Sequence, residues 1–568
     1  MARRELTVLA GGTVYDPANQ IDGRVMDLWM ELGRMIAPPS SRELEESTVR
    51  RIDATGYVVM PGGVDMHSHI AGPKVNLARR MRPEDKRQTT PVERHLSHHR
   101  ATRSGSTGSV PSTFATGYLY SGLGYTTAFD AAIAPLAARH AHEEFRDTPL
   151  IDKGFFILLG NNHYALSQIA KGEQERLKAF AGWILEAAGA YAIKVVNPGG
   201  VEAWKSGMGN IHSLDEPLPH IGCTARQVVR GLAQAAMDLG LPHPIHVHCN
   251  NLGLPGNFNT TLATMEALEG RKAHFTHIQF HSYGGETGDQ STFCSKTAEL
   301  AEWFNNHPEI TVDVGQVMFG ETTSMTGDGP LGYFLHKVTG RRWTSADTEL
   351  EAGCGIVPIT YLEKKMVHAL QWAIGLEWYL LAQDPWRIAM STDHPNGGSF
   401  LAYPEIIALL MDKGHRDEAL KRAHPGILMR SRLAELTREY TLNEIAIITR
   451  AAPARMLGLA NKGSLAPGAD ADITLYQPDH DKRRMFALPR MVIKSGRVVV
   501  DDGDILTDEG VPDSTRTWMV RPGFDPGALP DIRKWFESHY TLRFDNYPVE
   551  IERLEKIAAL SPCGAKKP

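Results

Sequence analysis

The chain has 568 residues, with 60 Lys and Arg against 66 Asp and Glu and a formal net charge of −6. That length suits one large barrel with additions or several domain-sized units. The slightly acidic balance offers no basic field for nucleic acid or an anionic membrane, so a small molecule or another protein is the expected partner.

The amino terminus runs straight into a β-like alternation without the apolar stretch of a signal peptide, and no later apolar run is long enough to span a bilayer. The chain therefore reads as cytoplasmic. Residues 1–56 contain short apolar strands around 6–9, 11–16 and 25–30, broken by Gly, Pro, Asn and Asp, and read as the first part of a small β-sandwich. Over 57–455 apolar strands alternate with amphipathic helices, which predicts an α/β chain built on a TIM-like (β/α)₈ barrel. Its eight candidate strands lie at 58–60, 125–129, 154–159, 192–196, 244–248, 275–278, 310–314 and 387–391, with helices such as 224–239 and 296–305 between them. Insertions at about 70–124 and 319–384 fall on the C-terminal face, where loops of that length shape a substrate cleft. Thr441-Leu442-Asn443-Glu444 is a capping box, opening a helix expected to end near Pro453. Residues 456–505 return to strand character and complete the composite sandwich, and 506–568 form a C-terminal extension.

The five cysteines, Cys223, Cys249, Cys294, Cys354 and Cys563, are scattered and never in a C-x-x-C arrangement, which argues against a disulfide framework or a thiolate zinc finger. The 24 histidines point instead to metal or acid–base chemistry. In Pro61-Gly62-Gly63-Val64-Asp65-Met66-His67-Ser68-His69, residues two apart in extended backbone share a face, so His67 and His69 can converge on one cation. Lys194 lies in the apolar run Ala192-Ile193-Lys194-Val195-Val196, where an unpartnered ammonium would cost several kcal/mol. Its carbamate, formed with carbon dioxide, would offer two oxygens and a negative charge to bridge two metals; the plain alternative is a snorkelling or salt-bridged lysine.

His246-Val247-His248 and His277-Ile278-Gln279-Phe280-His281 each offer two histidines at a strand end. We favour His248 and His277 as ligands, with His246 packed in the core and His281 contacting substrate or orienting a ligand. Asp393, after the last strand, can ligate a cation and accept the proton of an activated water; the plain alternative for Asp-His-Pro is a turn or an N-cap.

The arrangement resembles the amidohydrolase superfamily over almost the whole chain, including Lys462-Gly463-Ser464-Leu465-Ala466-Pro467-Gly468-Ala469-Asp470-Ala471-Asp472-Ile473. Within it the chain is similar to the A-subunit family of formylmethanofuran dehydrogenase and to its bacterial counterpart in formyltransferase/hydrolase complexes. That likeness rests on Gly12-Thr13-Val14-Tyr15-Asp16-Pro17-Ala18-Asn19, Lys194-Val195-Val196-Asn197-Pro198-Gly199-Gly200, His248-Cys249-Asn250-Asn251-Leu252-Gly253, His277-Ile278-Gln279-Phe280-His281-Ser282-Tyr283-Gly284-Gly285 and Thr392-Asp393-His394-Pro395-Asn396-Gly397-Gly398.

The resemblance implies that His67, His69, carboxylated Lys194, His248, His277 and Asp393 hold two Zn²⁺ ions, with Asp393 as general base. It implies hydrolysis of N-formylmethanofuran, or a close analogue, to formate and the free amine carrier in one-carbon metabolism. It also implies a hetero-oligomeric complex with a formyltransferase and two further subunits. No motif binds tungsten, molybdenum or an iron–sulfur cluster. Substrate contacts are expected at Asn250 and His281. Arg79, Arg80, Arg82 and Arg87 offer bidentate partners to the carboxylates of a methanofuran-type carrier, the plain alternative being a solvated basic loop or a contact with another subunit. Competing functional readings are a dihydropyrimidinase- or hydantoinase-like cyclic amide hydrolase and a non-catalytic scaffold that kept the barrel.

Overall fold

Parallel strands flanked by helices on one face and closed into a barrel are buried on both sides, and the strands show it: nearly every residue of the barrel strands is buried. In the computed structural model, which describes residues 4–83, 108–287, 289–345, 354–506, 515–550, 554 and 558–564, these strands are β1 (Gly63–Ser68), β2 (Tyr125–Ile133), β3 (Asp152–Leu158), β4 (Ala192–Val196), β5 (Ile245–His248), β6 (Ala273–Phe275), β7 (Ile310–Asp313) and β8 (Ile388–Ala389). Each pairs in parallel with the next. The ring closes where Ser68 bridges His394 and the His69 amide donates to the His394 carbonyl at 2.7 Å.

The helices between the strands follow from amphipathic runs with caps. Ala225–Asp238 opens on a capping box formed by Thr224 and Gln227 and buries Val228, Val229, Leu232 and Ala236 against the barrel core. The Thr441 capping box is also present, but the helical path runs through a π turn at Ile447–Ala451 and ends at Leu457 rather than at Pro453. Pro453 is tolerated because it falls in the first turn after the π turn, where no intrahelical N–H is needed.

The strand expected to open the barrel belongs elsewhere. Val58–Pro61 pairs antiparallel with Ile473–Tyr476 and parallel with Arg4–Asp16, inside a nine-stranded sheet assembled from both terminal segments. Leu9, Val14, Met30, Val59, Leu465, Ile473 and Ile493 form its own core. The long first strand bends at Gly11 and Gly12, where the register shifts; a Cβ at Gly12 would lie 2.5 Å from Val59 Cγ2, so glycine is required there.

The C-terminal extension is built into the barrel. Thr517–Val520 pairs with β3 at Lys153 and Gly154, and Ala558–Ser561 pairs with it in turn. The Val520 amide donates to Ala190, just before β4, so this strand fills the gap between β3 and β4 at the barrel floor. No helix of the described residues is long and apolar enough to cross a membrane.

Beneath the barrel, Asp152, Asp470 and Asp472 form a buried cluster with lysines in its centre. Lys462 Nζ meets Asp472 at 2.6 Å, Asp470 at 3.0 Å and Asp152, and Lys494 Nζ meets Asp152 at 2.9 Å. Arg516 of the extension pairs with Asp470 at 2.9 Å. Burial alone would raise the Asp152 carboxyl, but the surrounding Lys462, Lys494 and Arg516 hold it well below the usual carboxylate range. Replacing Asp152 by Ala removes one of the three carboxylates that balance Lys462, Lys494 and Arg516, leaving excess buried positive charge, and is expected to destabilise the chain by about 3–5 kcal/mol, read as a lowered denaturation midpoint.

Candidate metal centre

The barrel strands end on one face, and there the polar side chains gather: His67 and His69 at and beyond the end of β1, Lys194 on β4, His248 closing β5, His277 and His281 after β6, Asp313 closing β7, and Asp393 beyond β8. All are buried.

They fall into two groups. In the first, His67 Nε2 and His69 Nε2 each lie 3.0 Å from Asp393 Oδ1. The His67 contact lacks hydrogen-bond geometry, which leaves Nε2 a buried nitrogen without a partner among the described residues. In the second, ring nitrogens of His248, His277 and His281 lie within 4.8 Å of one another. His277 Nδ1 and both nitrogens of His281 are likewise unpartnered among the described residues. Burial pushes His248, His277 and His281 below the ordinary imidazole range, the neutral state that ligation requires.

Lys194 acts electrostatically on members of both groups. Its side chain is 1 % exposed and its Nζ finds no hydrogen-bond acceptor among the described residues. Burial lowers its pKa to about 7 against the opposing pull of Asp393, Asp313 and Asp130. The Asp393 carboxyl would be raised by burial, but the His277 and His67 imidazoles hold it well below its usual range. Asn396 Nδ2 donates to Asp393 Oδ1 at 2.9 Å and fixes the carboxylate.

Two backbone positions in the left-handed region aim side chains into the site: His277 at φ 36° and Asp393 at φ 52°. Gly315 runs beside both, and a Cβ there would come within 2.3 Å of His277 Cβ and 3.5 Å of Asp393 Cβ.

Asp313 is a functional residue that sequence reasoning did not single out. Its Oδ2 faces His67 Nδ1 at 3.1 Å and His274 Nε2 at 3.0 Å, while Oδ1 accepts from the His277 amide at 3.0 Å and from Ser391 Oγ at 2.5 Å. A carboxylate only accepts, so His67 carries its proton on Nδ1 and presents the Nε2 lone pair. The signal in the sequence was a single aspartate closing an otherwise apolar strand end, Ile310-Thr311-Val312-Asp313. His246 lies beneath this point, its Nε2 3.0 Å from His67 Nδ1 and its Nδ1 3.0 Å from His243 Nε2. Thr276 Oγ1 also touches His67 Nδ1. His246 is thus tied to His67 and His243 inside the barrel, whereas His248 faces the mouth.

The remaining expected residues separate. His281 stands with His248 and His277. Asn250 Nδ2 donates to Asn197 Oδ1 at 2.8 Å and to Pro198 O at 3.2 Å, and its Oδ1 has no partner among the described residues. On the helix Pro73–Met81, Arg79 is half-buried and Arg80 exposed. Arg82 corrects an expectation: it is buried, donates to Thr322 O at 2.8 Å and Ile359 O at 3.0 Å, and pairs with Glu321 at 2.8 Å. Its guanidinium braces the insertion and is not available to a substrate carboxylate. Arg87 lies outside the described residues.

Histidines at the ends of β1, β5 and β6, a lysine on β4 and an aspartate after β8 of a parallel barrel define a hydrolase scaffold, and the family comparison agrees: residues 50–500 match the amidohydrolase family, to which this chain belongs. It is 45% identical over 566 residues to Protein FwdA of Methanocaldococcus jannaschii, covering 96% of this chain and 97% of that one. It is 39% identical over 552 residues to the A subunit of the formyltransferase/hydrolase complex Fhc of Methylorubrum extorquens, covering 93% and 97%. Among solved structures it superposes with a TM-score of 0.90 and 35% identity on a chain of the formyltransferase/hydrolase complex FhcABCD from Methylorubrum extorquens in complex with methylofuran, covering 98% of this chain and 100% of that one.

Replacing Asp313 by Asn keeps the shape but removes the carboxylate that sets the His67 tautomer. The expected result is a fall in metal affinity of about 10–100-fold, measured by competition with a chelator.

Proposed function

We propose that this chain hydrolyses the N-formyl amide of formylmethanofuran, or a close analogue, to formate and the free amine, in the cytoplasm and in one complex with a formyltransferase and two further subunits. The observation that carries the reading is Lys194, a buried amine without an acceptor among the described residues, acting on both histidine groups. The Methylorubrum relative, matched over nearly its whole length and solved as part of a formyltransferase/hydrolase complex in complex with methylofuran, supports the substrate class.

The residues present fit two divalent cations. Unpartnered buried nitrogens face the site, the imidazoles of the second group are neutral, and a lysine whose pKa is drawn down to about 7 is partly the free amine at neutral pH. That amine can add to carbon dioxide, losing a proton to solvent and gaining the two oxygens of a carbamate. His67, His69, carboxylated Lys194, His248, His277 and Asp393 would hold two Zn²⁺ ions, which supply positive charge that polarises the formyl carbonyl and makes water more acidic.

The chain's own groups do the rest. Asp393, held ionised and oriented by Asn396, accepts the proton of the attacking water. As the C–N bond breaks, the same carboxyl returns that proton to the leaving amine nitrogen. A cavity of about 400 Å³ opens beside Asp393, walled by Leu252, Phe280, Phe293, Leu331 and Tyr361. It accepts a flat apolar group next to the amide and keeps bulk water out. His281 and Asn250, with unpartnered acceptor or donor atoms, are assigned to substrate contact, and Arg79, Arg80 and Arg87 to a carboxylate-bearing tail.

Purified protein loaded with zinc is expected to release formate from the formylated carrier and to leave hydantoin and dihydrouracil untouched; turnover of the cyclic amides alone would overturn the assignment. The Asp393→Asn variant should lose about 10²–10⁴-fold in kcat. After equilibration with ¹³C-bicarbonate, a carbamate carbon resonance is expected in the wild type and absent from Lys194→Met.

A further inference from the structure

Asp328 belongs to neither histidine group, yet it touches the second. It is 2 % exposed, and its Oδ2 faces His248 Nε2 at 3.1 Å. Because the carboxylate can only accept, His248 carries its proton on Nε2 and presents Nδ1 as its lone pair. His67 has the opposite tautomer, so these two histidines would offer different ring atoms to a cation.

The other carboxylate oxygen reaches two more partners. Asp328 Oδ1 accepts from Asn197 Nδ2 at 3.1 Å and from the Leu331 amide at 3.3 Å. The second contact makes Asp328 the N-cap of the helix Gly329–Thr339. That helix forms one wall of the 400 Å³ cavity through Leu331, Phe334, Leu335, Val338 and Thr339, with Asp393 and Asn396 also lining the cavity. Its other side is in water: Tyr333 is 38% exposed and Lys337 is exposed.

We infer that Asp328 is a positioning residue that couples the seating of helix Gly329–Thr339 over the substrate cavity to the orientation of His248, so that the second metal position is complete only when the helix is in place. The inference rests on the binuclear reading proposed for the site. One carboxylate serves both ends: lifting the first turn of the helix withdraws the acceptor from His248, and a metal ion that needs the Nδ1 lone pair holds the turn down. Coupling of this kind is reciprocal.

The test is Asp328→Ser in the full-length protein, with Asp328→Asn beside it. Serine caps a helix as well as aspartate does but is too short to reach His248; asparagine reaches it but turns a neutral amide toward the ring. Metal-stripped protein is titrated with Zn²⁺ against a chelator, and amide hydrogen exchange is followed across residues 329–339. For Asp328→Ser the second Zn²⁺ is expected to bind about 10–100-fold more weakly, with the first unchanged. In the wild type, exchange at 331–338 should slow on filling the second position, and in Asp328→Ser it should not. Asp328→Asn should fall between them in affinity. A wild type that takes up two ions, with Asp328→Ser matching it in both affinities and in exchange, overturns this inference alone. A wild type that takes up no second ion removes the binuclear reading and this inference together.

Discussion

A lysine sealed in a parallel barrel is the constraint from which the rest of the site follows. Ile193 and Val195 flank Lys194 along β4, its cross-strand partners are Leu158 and His246, and its Nζ has no acceptor among the described residues. A lone ammonium in such a place is destabilising by several kcal/mol. Burial therefore drives the group toward the neutral amine, and the neighbouring aspartates stop the shift near 7 rather than lower. An amine in that state is reactive, and the neutral imidazoles beside it suit the anion-bridged cation pair proposed above better than they suit an ammonium. The lysine is unstable as an ion and useful as something else.

Around it, carboxylates decide which ring nitrogen each histidine offers. Asp313, closing β7, ties itself to β1, β6 and β8 through His67, His274, the His277 amide and Ser391. Its four accepted hydrogen bonds hold these groups in place, the preorganisation that the proposed cations would need. Glycine at 315 lets the chain pass close to His277 and Asp393, whose left-handed backbones are the local strain accepted for that convergence.

Much of this was legible in the chain itself. Six of the eight expected strands fall on barrel strands because apolar runs between helices have few other folds open to them, while the one at 275–278 meets β6 only at Phe275, the chain turning off into a 3₁₀ turn at Ile278. The eighth, at 58–60, failed for a physical reason: Val58-Val59-Met60 is an apolar run as suited to a two-sided sheet as to a barrel, and its partner Ile473–Tyr476 lies roughly four hundred residues away. The true first strand, Gly63–Ser68, was hidden inside the His67 motif itself. The two histidine groups were readable from spacing at strand ends. His281, the third member of the second group, was expected to contact substrate or orient a ligand; the 3₁₀ turn at Ile278–His281 folds it back beside His277, a closeness that a strand period does not reveal. Asp313, Asp328 and Arg82 make most of their contacts with residues scores to hundreds of positions away, so no local pattern gives those partners.

The strand Thr517–Val520 has a temporal meaning as well as a structural one. It occupies the floor between β3 and β4, and Arg516 beside it closes the buried charge cluster. During synthesis the chain emerges from its amino terminus, so the strand bearing Lys194 is made more than three hundred residues before its lower neighbour. Until then the barrel carries an unfilled seam below the histidine groups. A nascent chain cut short before residue 515 would hold every residue of those groups and still lack the strand that fills the floor beside β4.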